Sequence, residues 1–231
     1  LILKAAATIS TLSLPDTYNS LRLSTYPSNM ISRLLVDFYK EWGTQFHIEY
    51  HEGSVEEITD HVHQGISEIG IVYVALKQVQ TFQHILTHKN LEFVPQDVKK
   101  ICVYVGPNHP LYHTESIDFE DLSSLKFMRG VRDFFSMEHH LERVSMGVID
   151  NEKLHHVVYT NSDHLIIDLL LHSDVCSLGL DFMHEPYTQY AIKSLPINGC
   201  EPFLQMGYVF NPERALSAQA RWVVERFRKM L

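Results

Sequence analysis

The chain has 231 residues, enough for one large domain or two small lobes, and 45% of them are hydrophobic and 20% charged, the balance of a folded protein with a buried core. Its formal net charge is −9, from 19 Lys and Arg against 28 Asp and Glu. A DNA surface requires clustered cations to displace counterions, and the basic residues here are scattered, so this segment alone is not expected to bind DNA. No apolar run approaches the roughly 18 residues of a membrane span, so no membrane partner is expected either.

Residues 1–19 open with an apolar pattern from Leu3 to Ile9 and break at Leu14-Pro15-Asp16, which reads as a short helix and a linker. There is no compact apolar block with a small-residue cleavage site, so the segment is not read as a signal peptide, and the missing initial Met reads as a fragment. Leu21 to Thr25 alternates as a strand does. Tyr26-Pro27-Ser28-Asn29 is a turn in which Ser28 or Asn29 is placed to cap the next helix. From Met30 to Trp42 the apolar positions Ile31, Leu34, Leu35, Phe38 and Tyr39 predict a helix with one buried face, ended by Gly43.

Phe46 to Tyr50 predicts a second strand, and 51–54 a turn. Ser54 followed by Glu57 is a capping box for a helix that runs to about His63 and stops near Gly65. Ile69 to Val74 is a continuous apolar run, the mark of a buried parallel strand. The order β-α-β-α-β signals an open α/β sheet. Further strands are read at Lys100 to Gly106, Phe127-Met128, His155 to Tyr159, Val175 to Leu180 and Met206 to Phe210. Helices are read at Phe134 to Val144, at Asp163 to Leu171 behind Thr160-Asn161-Ser162, and at Ser217 to Leu231 with Trp222, Val223 and Phe227 inward.

Five segments in this order resemble the effector-binding (substrate-binding) domain of LysR-type transcriptional regulators: 21–42, 48–73, 103–128, 160–183 and 213–227. The third, with His109-Pro110-Leu111 and then Ile117 and Leu122 before a strand, is the most specific. The resemblance spans about residues 20–231. It departs from the family at Ser67-Glu68, where an Asp is usual, and at Ser173-Asp174, where glycines are usual. It implies two Rossmann-like α/β lobes of the type 2 periplasmic-binding-protein fold, hinged by two crossover strands. Lobe I would take 20–100 and 203–231, lobe II 101–202, and 1–19 would end a linker helix. It also implies a cytoplasmic, homodimeric or homotetrameric regulator, paired through the Met30–Trp42 helix. DNA would be contacted only by an N-terminal winged helix-turn-helix not in this sequence.

In an open α/β sheet the ligand crevice lies at the carboxyl ends of the strands, where helix starts offer free N–H groups and partial positive charge to an anionic small-molecule effector. The candidate ligand-binding residues are therefore Thr25, Ser28, Asn29, Ser54, Tyr73, Arg129, Thr160, Asn161 and Leu180, with Arg132 near Arg129 and the wall running on to Phe182. The resemblance assigns ligand contact to Ser28 and Ser54; plain helix capping is the competing role. Arg129 is suited to a carboxylate.

The 15 histidines include His84 and His88 at helical spacing, but no pair comes with a ligand set at a known metal spacing, so neither metal nor cofactor is expected. No G-x-S-x-G, P-loop or G-x-G-x-x-G occurs, so the chain is not read as an enzyme. Cys102, Cys176 and Cys200 share no CxxC spacing and read as buried thiols in a reducing compartment. The competing function is an extracytoplasmic solute-binding protein of a transport system.

Overall fold

Two five-stranded sheets share the chain. The computed structural model describes residues 19–27, 29–43, 46–129, 135, 140–149, 154–180 and 190–231. The expected helix within 1–19, Ser28, Arg132 and Phe182 lie outside the described residues.

The first sheet has the order β2-β1-β3-β10-β4. Its strands are β1 (Asn19–Thr25), β2 (Phe46–Glu52), β3 (Ile69–Ala75), β4 (Glu92–Lys99) and β10 (Leu204–Phe210). The second has the order β7-β6-β8-β5-β9, from β5 (Ile101–Val105), β6 (Lys126–Arg129), β7 (His155–Tyr159), β8 (Cys176–Leu180) and β9 (Lys193–Pro196). The helices are α1 (Asn29–Trp42), α2 (Val55–Gln64), α3 (Val79–His88), α4 (Leu141–Val144), α5 (Asp163–His172) and α6 (Ala218–Met230).

Local chemistry explains most of these boundaries. Along α1, Met30, Ile31, Leu34 and Phe38 recur every three or four residues and are buried; Gly43, at φ 73°, takes the left-handed turn that ends it. The capping box of α2 is formed: Ser54 Oγ accepts from the Glu57 amide at 3.2 Å and Glu57 Oε2 accepts from the Ser54 amide at 2.8 Å. Gly65, at φ 76°, closes α2. Every residue of β3 is buried, as befits the middle strand of five.

Several expectations are corrected. β3 is parallel only to β1, since β10 returns on its other side antiparallel. β2 continues to Glu52, because pairing with β1 holds through Thr25 and Glu52, leaving only Gly53-Ser54 as the turn. The helix read from Phe134 begins at Leu141; Phe135 is a turn residue whose ring sits 5.2 Å from Phe82 of α3. α3, β4 and β9 lie where no periodic pattern was assigned: α3 buries only Phe82 and Leu86, and β4 is an edge strand carrying Pro95 and charged residues.

The two sheets are joined at β4–β5 and at β9–β10, and the joints touch: the Phe203 amide donates to Lys99 O at 3.1 Å and the Leu76 amide to Phe203 O at 2.9 Å. One apolar cluster runs through this hinge, from Leu21 and Phe38 by way of Ile101 and Phe203 to Phe127 and Leu195. The two departures from the family pattern have structural work. Ser67 is buried against Ser24 Oγ at 2.7 Å, and Glu68 accepts from the Ser217 amide at 3.0 Å. Ser173 Oγ donates to Leu169 O at 2.6 Å, and Asp174 pairs with Lys126 at 2.6 Å.

Candidate functional site

The carboxyl ends of β3 and β8 lie at the hinge, where Ala75 pairs with Leu204 and Leu180 with Ile101, and β1 and β2 run parallel to β3 and β6 and β7 to β8, so the loops after these strands lie on the hinge side of their sheets. On the first side the Gly53 amide donates to Thr25 O at 3.2 Å and the Tyr26 amide to Ile71 O at 3.2 Å. These bonds gather Thr25, Gly53-Ser54 and the middle of β3. Tyr73 is buried on β3, with its ring centroid 4.4 Å from that of Tyr26.

On the second side the Thr160 amide donates to Arg129 O at 3.0 Å, and Thr160 Oγ1 accepts from the Ser162 amide at 3.0 Å. Arg129 and the start of α5 are thus neighbours. Leu180 pairs with Ile101 at the root of β5, and its carbonyl accepts from Tyr104 Oη at 2.8 Å. Of the expected residues, then, Thr25, Ser54, Tyr73, Arg129, Thr160, Asn161 and Leu180 lie in the hinge-side halves of strands or at helix starts, Asn29 opens α1, and Ser28 is outside the described residues.

Their chemical freedom differs. Thr25 is fully buried and its hydroxyl donates to Tyr26 O at 2.9 Å. The Ser54 hydroxyl is engaged in its cap. The cap of α5 is Ser162, whose Oγ accepts from the Leu165 amide at 3.3 Å, so Thr160 and Asn161 are not its capping residue. The Arg129 guanidinium makes no ion pair or hydrogen bond among the described residues, and Asn161, two residues before α5, is exposed.

One feature escaped sequence reasoning. Glu52 ends β2 in the first sheet and Asp163 opens α5 beside the second. Burial first, and the Glu52 carboxylate second, hold the Asp163 carboxyl above its usual range. Tyr50 Oη donates to Glu52 Oε1 at 2.7 Å, and burial with these acids pushes the Tyr50 phenol up. Acids 111 residues apart in sequence give no local signal; only the closing of two lobes brings their fields together.

A raised carboxyl takes up a proton in the folded state before the unfolded one does. The folded state therefore loses stability as pH rises from about 3.8, the ordinary carboxyl value, through the folded value of Asp163. Asp163→Asn is accordingly expected to melt higher than the parent at pH 7, with the difference disappearing as pH falls toward 4. A parent-minus-variant difference that does not vary with pH would exclude this repulsion.

The strand-end sulfur is not a competing centre: Cys176 is buried, donates to Lys126 O at 3.4 Å, and burial pushes its thiol up, away from the reactive thiolate. All three cysteines are buried, and none is in a disulfide among the described residues. His84 and His88 touch through their Nε2 atoms at 3.3 Å on an exposed face, and no group of three metal-ligating side chains occurs among the described residues. Among those residues no helix is long and apolar enough to cross a membrane.

The model of the LysR substrate binding domain family matches residues 20–231. Among solved structures, the effector binding domain of QuiR in complex with shikimate superposes with a TM-score of 0.64 at 15% identity, over 92% of this chain and 98% of that one. HinK, a LysR family transcriptional regulator from Pseudomonas aeruginosa, gives a TM-score of 0.61 at 13% identity, over 100% and 76%. The oxidized form of OxyR gives 0.61 at 14% identity, over 93% and 97%. At these identities the likeness is one of fold. No curated protein matches the sequence.

Proposed function

The chain belongs to the LysR substrate binding domain family, and from that premise we propose that it is the ligand-sensing part of a transcriptional regulator, taking a small-molecule effector into the interlobe cleft. The observation that carries this reading is the family match across 20–231, together with the type 2 periplasmic-binding-protein fold. The match favours transcriptional control over a transport role.

In this reading lobe I is 20–100 with 203–231, lobe II is 101–202, and 1–19 ends a linker. Arg129 supplies two parallel donors to an effector carboxylate. Asn161, Thr160 and the amides at the start of α5 add polar contacts, and Ser28, Asn29 and Ser54 are the candidates from the first lobe. Thr25, Tyr73 and Leu180 form the floor. Glu52 and Asp163 favour an effector that also presents hydroxyl or amino donors, because those would relieve their mutual repulsion. Binding would favour one interlobe angle over another, by as much as the effector's affinity differs between the two.

No catalytic step belongs to this role, which is set in the cytoplasm. The regulator would act as a homodimer or homotetramer and reach DNA through a winged helix-turn-helix. Val36 and Tyr39 stand more than half exposed on α1, which supports pairing through that helix.

A thermal-shift screen of small carboxylates tests the reading, headed by shikimate and related hydroxy acids because the QuiR domain is solved with shikimate. A ligand at about one hundred times its dissociation constant adds roughly 2.7 kcal/mol of stability. The gain is expected to vanish in Arg129→Gln and to weaken in Asn161→Ala. A gain that survives both substitutions would move the effector out of this cleft.

A further inference from the structure

At the opposite end of the first sheet from the cleft lies a cavity of about 380 Å³. It is walled by the first half of β1, the turn between α2 and β3, and the segment joining β10 to α6. Nothing in the cleft reading uses it. We infer that it is a second ligand site, one that holds a small oxyanion between Arg22 and Arg214 at the start of α6.

The donors are present and largely unspent. A guanidinium has five N–H donors. The hydrogen bond of the Arg22 side chain runs from Nη1 to Gly65 O at 2.8 Å, while its Nε is shielded from solvent with no acceptor among the described residues. Arg214 reaches Val62 O and His63 O only at 3.4 Å. The contact to Val62 O is not needed to finish α2, because Val62 O already accepts from the Gly65 amide at 3.2 Å. Neither arginine has a carboxylate within ion-pair distance among the described residues; Glu68, in the same wall, accepts instead from the Ser217 amide at 3.0 Å.

A third group points the same way. Gln219 is 6% exposed and lines the cavity, yet its amide makes no hydrogen bond among the described residues. Buried polar groups are nearly always bonded, so the shielded Arg22 Nε calls for a partner, and the unbonded Gln219 amide beside the same cavity is available to one. The N-terminus of α6, capped by Ser217, aims its partial positive charge at the same space. Gly65 makes the arrangement possible: a Cβ there would lie 2.5 Å from Arg214 Nη1.

The occupant's class follows from charge and size. Two cations face one carboxylate, in a protein whose net charge is −9. The volume is at the small end of the roughly 300–1,000 Å³ of small-molecule pockets. Apart from Val62, Gly65, Ala215 and Leu216 the lining residues are polar, which disfavours an aromatic acid. The fit is to a compact, hydrophilic anion with oxygens enough to bridge two guanidinium groups, such as phosphate, sulfate or a small polycarboxylate.

The test is an amide-resolved NMR titration of the 231-residue chain with sodium phosphate, sodium sulfate and sodium citrate, each at constant ionic strength with chloride as reference. At least one probe is expected to shift Gly65, Glu68, Ser217 and Ala220 saturably while leaving Asn161 in place. Affinity is expected to fall at least tenfold in Arg214→Gln and in Gln219→Leu, the second of which keeps both cations. Citrate binding tighter than phosphate would mark an organic acid, and the reverse an inorganic oxyanion. Linear shifts with all three probes, or equal affinity in both variants, would overturn the site. Neither result bears on the cleft, whose screen reads out at Arg129.

Discussion

Phe38→Ala is expected to cost about 3–5 kcal/mol of folding stability, the range for deleting a buried aromatic ring, against a total of about 5–15 kcal/mol for a typical domain. Phe38 has no exposed surface. Its ring packs edge-on against Phe46 at 4.9 Å and Trp222 at 5.4 Å, and stacks with Trp42 at 5.5 Å. These neighbours come from β2, α6 and α1 itself, so one side chain ties three elements of the first lobe together. None of them can collapse into the space without breaking its own packing, and Trp222 is further held by its Nε1 donating to Glu41 at 2.8 Å. Urea unfolding followed by Trp fluorescence measures the loss. A cost below about 1 kcal/mol would mean that the rings relax freely, which well-packed interiors rarely allow.

Gly106→Ala is expected to be nearly as damaging, at about 3 kcal/mol or more, for the opposite reason: too little space. A Cβ on Gly106 would overlap the backbone carbonyl of Leu170, which is part of a helix and not a movable side-chain tip. α5 would have to lift off β5, where Asn108 Nδ2 also donates to Leu171 O at 3.3 Å. Because the other end of α5 carries Asp163 at the cleft, the same substitution is expected to weaken effector affinity even below the melting range. Parallel urea melts and ligand titrations check both effects. An unchanged melt would show that α5 has room to move.

Periodicity was a good guide wherever an element buries one face. α1, α2 and α6 were legible because apolar residues recur at helical spacing and Ser54 with Glu57, or Gly43 and Gly65, mark the ends. β3 was legible as a wholly apolar run. α3, β4 and β9 were not, since a two-contact helix and edge strands carry mixed surfaces that no period describes. In the cleft, residue types at strand ends were readable, but not their duties. Thr25 and Ser54 spend their hydroxyls within the backbone, and Ser162 rather than Thr160 caps α5, whereas Arg129 has no polar partner among the described residues.

Sequence by itself therefore determined the class of the protein: local patterns of burial and capping are short-range, and their order along the chain is enough to specify a family. Tertiary structure alone decided which charges meet. The return of β10 between β3 and β4, the repulsion between Glu52 and Asp163, and the convergence of Arg22 with Arg214 all join residues more than 100 positions apart. Electrostatic interaction depends on distance in space and on the water excluded between the groups, and neither quantity is set until the hinge and the two sheets are formed.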